Sequence, residues 1–223
     1  MFPKRNPKEM ELQFLHIPKC AGTSVENWGR KHGYRWGRFF TKGKALEMKP
    51  PNKGRWKCDL FHVPPQFFEQ DPYENCELFT VVRCPIERAI SEFRCPWHGF
   101  CAPAKTESAQ RRRKDATNED LNLWLLRKTA PLLEGRIGKN AHLLPQSWYL
   151  ERVPPENILR FEHLAKDWEA FWERRGIKAE PLQHENQSEM PRFKREDLKP
   201  ETIERLQKIY GQDHSCSSIF GLS

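Results

Sequence analysis

Two short stretches of the chain hold residues of the kind that grip anions. The first is QFLHIPKCAGTSVE, Gln13 to Glu26, in which Lys19 precedes Gly22, Thr23 and Ser24. The second is RCPIERAIS, Arg83 to Ser91. An ammonium, a glycine where the backbone can come close and two hydroxyls form a donor set suited to a terminal phosphate or sulfate. Arg83 brings a planar fork of donors and Ser91 a hydroxyl, a second set for a second anion. Two such sets on adjacent elements point to one ligand with two separated phosphates. The first loop is not a nucleoside-triphosphate P-loop, in which lysine follows the last glycine; here Lys19 comes three residues before Gly22.

For these residues to meet, each stretch has to be a junction between a strand and a helix. Leu12, Phe14, Leu15 and Ile17 read as a short buried strand, and Val25 and Trp28 open a helix after Thr23 and Ser24. Backbone N–H groups from Ala21 to Ser24 would then converge at a helix N-terminus, where the dipole favours negative charge. Leu78 to Val82 reads as a second buried strand, Pro85 suits the first position of a helix, and Ile86, Ala89, Ile90 and Phe93 fall on one helical face. Between the junctions, Trp56 to Val63 is another short apolar stretch, read as a strand closed by Pro64 and Pro65. A further strand is expected within Asn157 to Leu164. Helices follow: Leu164, Trp168, Phe171 and Trp172 share a face up to a stop at Gly176, and Ile203, Leu206 and Tyr210 share another after Pro200. Strands separated by helices predict an α/β fold with a mostly parallel sheet. The interval at about 96–117 breaks the pattern; polar and carrying Arg111, Arg112, Arg113 and Lys114, it reads as a mobile loop.

The whole chain sets the limits. Its 223 residues suffice for one well-cored domain. With 37% hydrophobic and 30% charged residues, eight Trp and fourteen Phe, it reads as globular and not as disordered. No apolar run is long enough to span a bilayer. The polar, basic start MFPKRNPKEMELQ lacks the apolar segment of a signal peptide, so a cytoplasmic location is expected. The net charge of +8 implies anionic company, whether nucleic acid, a phosphorylated cofactor or an anionic polysaccharide. Seven cysteines include no C-x-x-C pair, which disfavours a zinc site, and their odd number disfavours a closed disulfide framework. Cys58 with Cys76, or Cys95 with Cys101, could pair in an oxidising compartment, but free thiols are expected.

The two motifs also carry a resemblance. IPKCAGTS, Ile17 to Ser24, resembles the 5′-phosphosulfate loop of sulfotransferases that use 3′-phosphoadenosine 5′-phosphosulfate (PAPS). RCPIERAIS resembles their 3′-phosphate motif, R-x-P-x-x-R-x-x-S. Within that group the chain is similar to the membrane-associated carbohydrate enzymes of the heparan sulfate 2-O- and 6-O-type. Leu12 to Arg94 is covered well, ILRFEHLAKDWEAF and HENQS more loosely, and the middle basic loop not at all.

The resemblance implies a single P-loop-like, three-layer α/β/α domain over residues 1–223, with a central parallel sheet. It implies transfer of a sulfuryl group from PAPS to an acceptor hydroxyl, leaving PAP, with no metal required. Lys19, Cys20, Ala21, Gly22, Thr23 and Ser24 would hold the 5′-phosphosulfate, and Arg83 and Ser91 the 3′-phosphate. Lys19 would also meet the charge growing on the leaving phosphate oxygen. In the heparan sulfate enzymes a histidine near the end of the strand between the cofactor motifs acts as base, and His62 occupies that place. His16 and His142 are further candidates; His184, Asn186 and Ser188 belong either to a loop near the cofactor or to a solvated turn. The acceptor is expected to be a glycan hydroxyl, on an anionic chain if the basic run recruits it, with no nucleic acid and no membrane segment involved. Members of this type carry an N-terminal membrane anchor, whereas this sequence starts almost at its first strand; the expectation is either a compact, soluble relative or an acceptor that is not a secreted glycan. Two alternatives share the basic cleft: a P-loop nucleotide kinase and a basic nucleic-acid-binding protein.

Overall fold

In a computed structural model, residues 10–49, 56, 58–103, 105–137, 141–183 and 190–215 are described. His184, Asn186, Ser188 and Cys216 lie outside them. Three parallel strands form the sheet in the order β1 (Glu11–Phe14), β2 (Cys76–Val82), β3 (Ile158–Arg160). Glu11 pairs with Cys76 and Phe14 with Phe79 on one side of β2, while Thr80 pairs with Ile158 and Val82 with Arg160 on the other. Leu15 prolongs the first pairing, its N–H donating to the Phe79 carbonyl at 2.9 Å and its carbonyl accepting from the Thr80 hydroxyl at 2.7 Å. β2 is apolar along most of its length because both of its edges and both of its faces are covered. Since β1 and β2 run the same way, the loops leaving them emerge together at the carboxyl end of the sheet.

Helix α1 (Gly22–Lys31) follows β1, and a single turn, α2 (Arg38–Thr41), comes next. Helix α3 (Pro85–Phe93) follows β2 with Pro85 in its first turn, as the sequence predicts. Later come α4 (Glu107–Lys114), α5 (Asn118–Leu133), α6 (Leu164–Glu173), α7 (Pro200–Ile209) and α8 (Gly211–Ser215). α1 and α6 pack into the cluster that holds the strand residues, where Trp28, Trp36, Trp168 and Trp172 meet Phe79 and Phe171 edge to face and stacked. α3, α5 and α7 build a second cluster around Phe93, Leu121, Leu125 and Leu206. The tryptophans are thus mostly core residues. Trp97 stands apart at 68% exposed.

Two expectations are corrected. The stretch ending in His62 is not a strand: Leu60–His62 is a 3₁₀ turn, with His62 N–H donating to Asp59 and Val63 N–H to Leu60, each at 3.0 Å. Both edges of β2 are already paired, and the prolines that follow cannot donate to a ladder, so local bonds satisfy this backbone. The interval at about 96–117 contains a helix and is not all loop. Thr106 caps α4, accepting from Ala109 N–H at 3.2 Å, and the basic residues fall in the last turn, where they complement the dipole. Arg113 is the anchor: 6% exposed, it donates to the carbonyls of Arg94, Cys95 and Phe100 at 2.7–3.1 Å, meeting acceptors just past the end of α3. Apolar periodicity could not announce a helix held by one arginine.

Candidate active site

The turn from β1 into α1 is built to expose donors. Lys19 and Ala21 both adopt left-handed backbone, φ 67° and 60°, which for residues with a side chain costs roughly 1–3 kcal/mol each and persists where surrounding structure enforces it. Such alternation turns successive N–H groups into one concavity. No side chain caps α1, and its first turn holds no carboxylate, so the donors at its N-terminus stay available to an anion. Gly22 is required for a reason the sequence did not show. A Cβ there would lie 2.1 Å from Nε2 of His16, so the imidazole, and not only a ligand, needs the bare backbone. Cys20 turns its side chain inward, its thiol donating to Gln146 Oε1 at 3.4 Å; burial pushes its pKa up to about 12, so it is no nucleophile and can offer a ligand only its backbone.

The turn from β2 into α3 meets the first. Arg83 Nη1 points at the Lys19 carbonyl, 3.4 Å away, and the guanidinium lies over the Phe161 ring at 4.2 Å. Its Nε is buried without a hydrogen-bond partner among the described residues, which is uncommon for a buried donor. Gln146, fully buried, ties the junctions together: Oε1 accepts from Arg83 N–H at 2.9 Å as well as from Cys20, and Nε2 donates to the Arg83 carbonyl at 2.8 Å. Asp213 holds Gln146 in turn, accepting its backbone N–H at 2.9 Å. Ser91 is half-buried on α3, two turns beyond Arg83, and no hydrogen bond joins the two.

Three histidines named from the sequence converge beside these turns. His62 Nδ1 lies 3.1 Å from His142 Nε2, and the rings of His62 and His16 meet edge-on with centroids 4.7 Å apart. Two buried carboxylates flank them, Glu26 Oε1 at 2.7 Å from His16 Nδ1 and Glu92 Oε2 at 3.0 Å from His142 Nδ1. His98 packs against His142, centroids 4.3 Å apart. Burial, then the nearby basic groups His16, His142, His98 and Lys19, hold the His62 imidazole well below the usual histidine range. Arg88, the second arginine of the RCPIERAIS motif, is buried and donates to the carbonyls of His142 and Leu144, fixing His142 from behind.

Gln146, Glu26, Glu92 and His98 carry no motif that would have flagged them. Only the two carboxylates left a trace, as acidic residues beside the apolar face of a helix, where charge is rare unless paired. Among the described residues no group of three or more His, Cys, Asp or Glu side chains is arranged to hold a metal ion.

A model of the sulfotransferase family matches residues 5–216, almost the whole chain. The chain belongs to the sulfotransferase family. No curated protein and no solved structure matches it. As a sulfotransferase it moves a sulfuryl group to an acceptor, and the nucleotide-kinase reading gives way. The α/β architecture with a parallel sheet is that of the family's P-loop-like fold. All six described cysteines are free thiols. No helix among the described residues is long and apolar enough to cross a membrane.

Proposed function

We propose that this sulfotransferase uses PAPS as donor and a carbohydrate hydroxyl as acceptor. Lys19 and the backbone N–H groups of Cys20 to Ser24, with the hydroxyls of Thr23 and Ser24, hold the 5′-phosphosulfate; Arg83 and Ser91 hold the 3′-phosphate; His62 accepts the acceptor's proton. The bound donor supplies an activated sulfuryl group: a bond from the acceptor oxygen to sulfur forms as the bond from sulfur to the phosphate oxygen breaks, and PAP leaves with the electron pair. The observation that carries this reading is the meeting of the two turns, Arg83 Nη1 against the Lys19 carbonyl, with Gln146 fastening both. One ligand with phosphates at two places can then touch both junctions at once. Fixed donors of this kind, placed where charge develops, need no reorganisation during reaction.

Two surface features support a glycan that is itself anionic. Trp97 is exposed and adjoins in the chain His98, whose ring packs on His142, and an exposed indole suits the apolar face of a sugar ring. A surface cavity of about 470 Å³ is lined by Asn27, Arg30, Arg38, Phe39 and Lys42. Glu26 meets the Arg38 charge at 3.0 Å, whereas Arg30 and Lys42 face no carboxylate among the described residues. This cavity is a second place beside the basic run that could recruit an anionic acceptor; within the run Arg113 is spent on carbonyls, while Arg111, Arg112 and Lys114 are exposed.

The test is transfer of labelled sulfate from PAPS to a panel of neutral glycans, anionic glycans and tyrosine peptides, in a chelator. Labelled anionic glycan is the expected product. Labelling confined to the peptides would overturn the acceptor, and no labelling without magnesium would overturn the donor chemistry.

A further inference from the structure

Hydrogen-bond direction fixes which nitrogen of His62 is basic. Glu92 is 1% exposed, and an ionised carboxylate can only accept. His142 Nδ1, 3.0 Å from it, therefore carries a hydrogen, which in the neutral ring leaves Nε2 as an acceptor. The partner of that acceptor is His62 Nδ1 at 3.1 Å, so His62 donates from Nδ1 and keeps its lone pair on Nε2. That Nε2 has no hydrogen-bond partner among the described residues.

We propose that Glu92 and His142 are positioning residues that hold His62 in the Nδ1–H form and draw off, through that bond, the positive charge created when Nε2 takes the acceptor's proton. The proposal rests on His62 being the base, as argued above. The hydroxyl proton goes to His62 Nε2, and the Nδ1 proton passes to His142 Nε2. His142 becomes an imidazolium paired with the Glu92 carboxylate, and nothing is oxidised or reduced. After release of the product the second transfer reverses and Nε2 gives its proton to solvent.

The surroundings favour moving the charge. His62 is faced by Lys19, His16, His98 and His142, and its own imidazolium is disfavoured there. His142 has what His62 lacks, a buried carboxylate at hydrogen-bond distance. The opposite arm is different. Glu26 serves His16 but also accepts from the Arg38 N–H at 2.9 Å and faces the Arg38 guanidinium, and His16 meets His62 ring to edge with no hydrogen bond between them. His16 packs against the base, and His142 is wired to it. Arg88 keeps the wire in place by gripping the carbonyls on either side of Leu143.

Glu92→Gln provides the test, because an amide can donate to His142 Nδ1 and reverse the whole chain, leaving His62 with hydrogen on Nε2. Nitrogen-15 NMR of the histidine rings in the ligand-free protein should report Nδ1–H at His62 in wild type and Nε2–H in Glu92→Gln. The variant's kcat should fall within the ~10²–10⁴ range typical of a lost general base. Its acceptor KM and PAP affinity should keep wild-type values, and Glu92→Asp should recover part of the rate. Wild-type turnover in Glu92→Gln, with His62→Ala inactive, would overturn the positioning role alone; an active His62→Ala would overturn the base itself. If Glu92→Gln does not fold, the wild-type spectrum decides, and Nε2–H at His62 would overturn the proposal.

Discussion

The two strand-to-helix turns stand side by side at the carboxyl end of the sheet and present their donors in different ways. After β1, the backbone offers the donors: Lys19 and Ala21 are left-handed, and α1 has no side-chain cap on its first N–H groups. After β2, little backbone is left to give. Pro85 has no N–H, the Cys84 N–H goes to Glu162 at 2.8 Å, and the Arg83 N–H goes to Gln146. The burden falls on the Arg83 side chain, whose Nε is unpartnered. A junction that opens with an uncapped glycine offers a cradle of main chain, and one that opens with proline has to offer a side chain. Substitutions should therefore act differently at the two.

The largest effect belongs between the junctions, at His62. His62→Ala should lower kcat by ~10²–10⁴ while leaving PAP affinity alone, because Lys19 and Arg83 are untouched. The wild-type rate should fall as pH drops through the imidazole's titration. Since burial and the basic groups around it depress that titration, the midpoint should lie on the acid side of the ~6.5 of a free histidine. A midpoint above it, or loss of cofactor binding with the rate, would place the base elsewhere.

Next comes Gly22→Ala, aimed at the backbone cradle. The added methyl meets the His16 ring, which Glu26 holds, so overpacking should cost ~1–3 kcal/mol in thermal unfolding and weaken PAP as the turn shifts. Unchanged melting and unchanged PAP affinity would mean that the ring yields freely. Smaller again are Thr23→Ala and Ser24→Ala, each worth ~0.5–1.5 kcal/mol in PAP affinity if the main chain does most of the holding. A loss at either as large as that at Arg83 would erase the contrast between the turns. Smallest are Arg30→Gln and Lys42→Gln, exposed charges expected to contribute ~0.5–1 kcal/mol each to an anionic acceptor's KM and to flatten its salt dependence. Equal KM values on neutral and anionic glycans would remove the cavity from the acceptor path.

Much of this was legible in the residues. Apolar runs and a helix-opening proline mark β2 and α3, and donor types at fixed spacing mark both turns, because local chemistry decides them. The 3₁₀ turn at Leu60–His62 was misread because a short apolar run cannot report that the sheet edges beside β2 are taken. α4 was misread because its anchor is polar, one arginine aimed at distant carbonyls. Gln146 and Glu92 were invisible since their partners, Arg83 and His142, lie more than 40 residues away in sequence. His16, His62 and His142 could each be named singly, and only the fold joins them.

The division of labour between the turns is tested most directly by titrating PAP and adenosine 5′-phosphosulfate into wild type and Arg83→Ala without magnesium. Adenosine 5′-phosphosulfate lacks the 3′-phosphate, so it should depend on the first turn alone. Wild type should bind both. Arg83→Ala should lose about 1.5–3 kcal/mol toward PAP, roughly 10–150-fold, as expected for hydrogen bonds to a charged group, and almost nothing toward adenosine 5′-phosphosulfate. Equal weakening of the two ligands, or no binding of PAP until magnesium is added, would contradict the assignment.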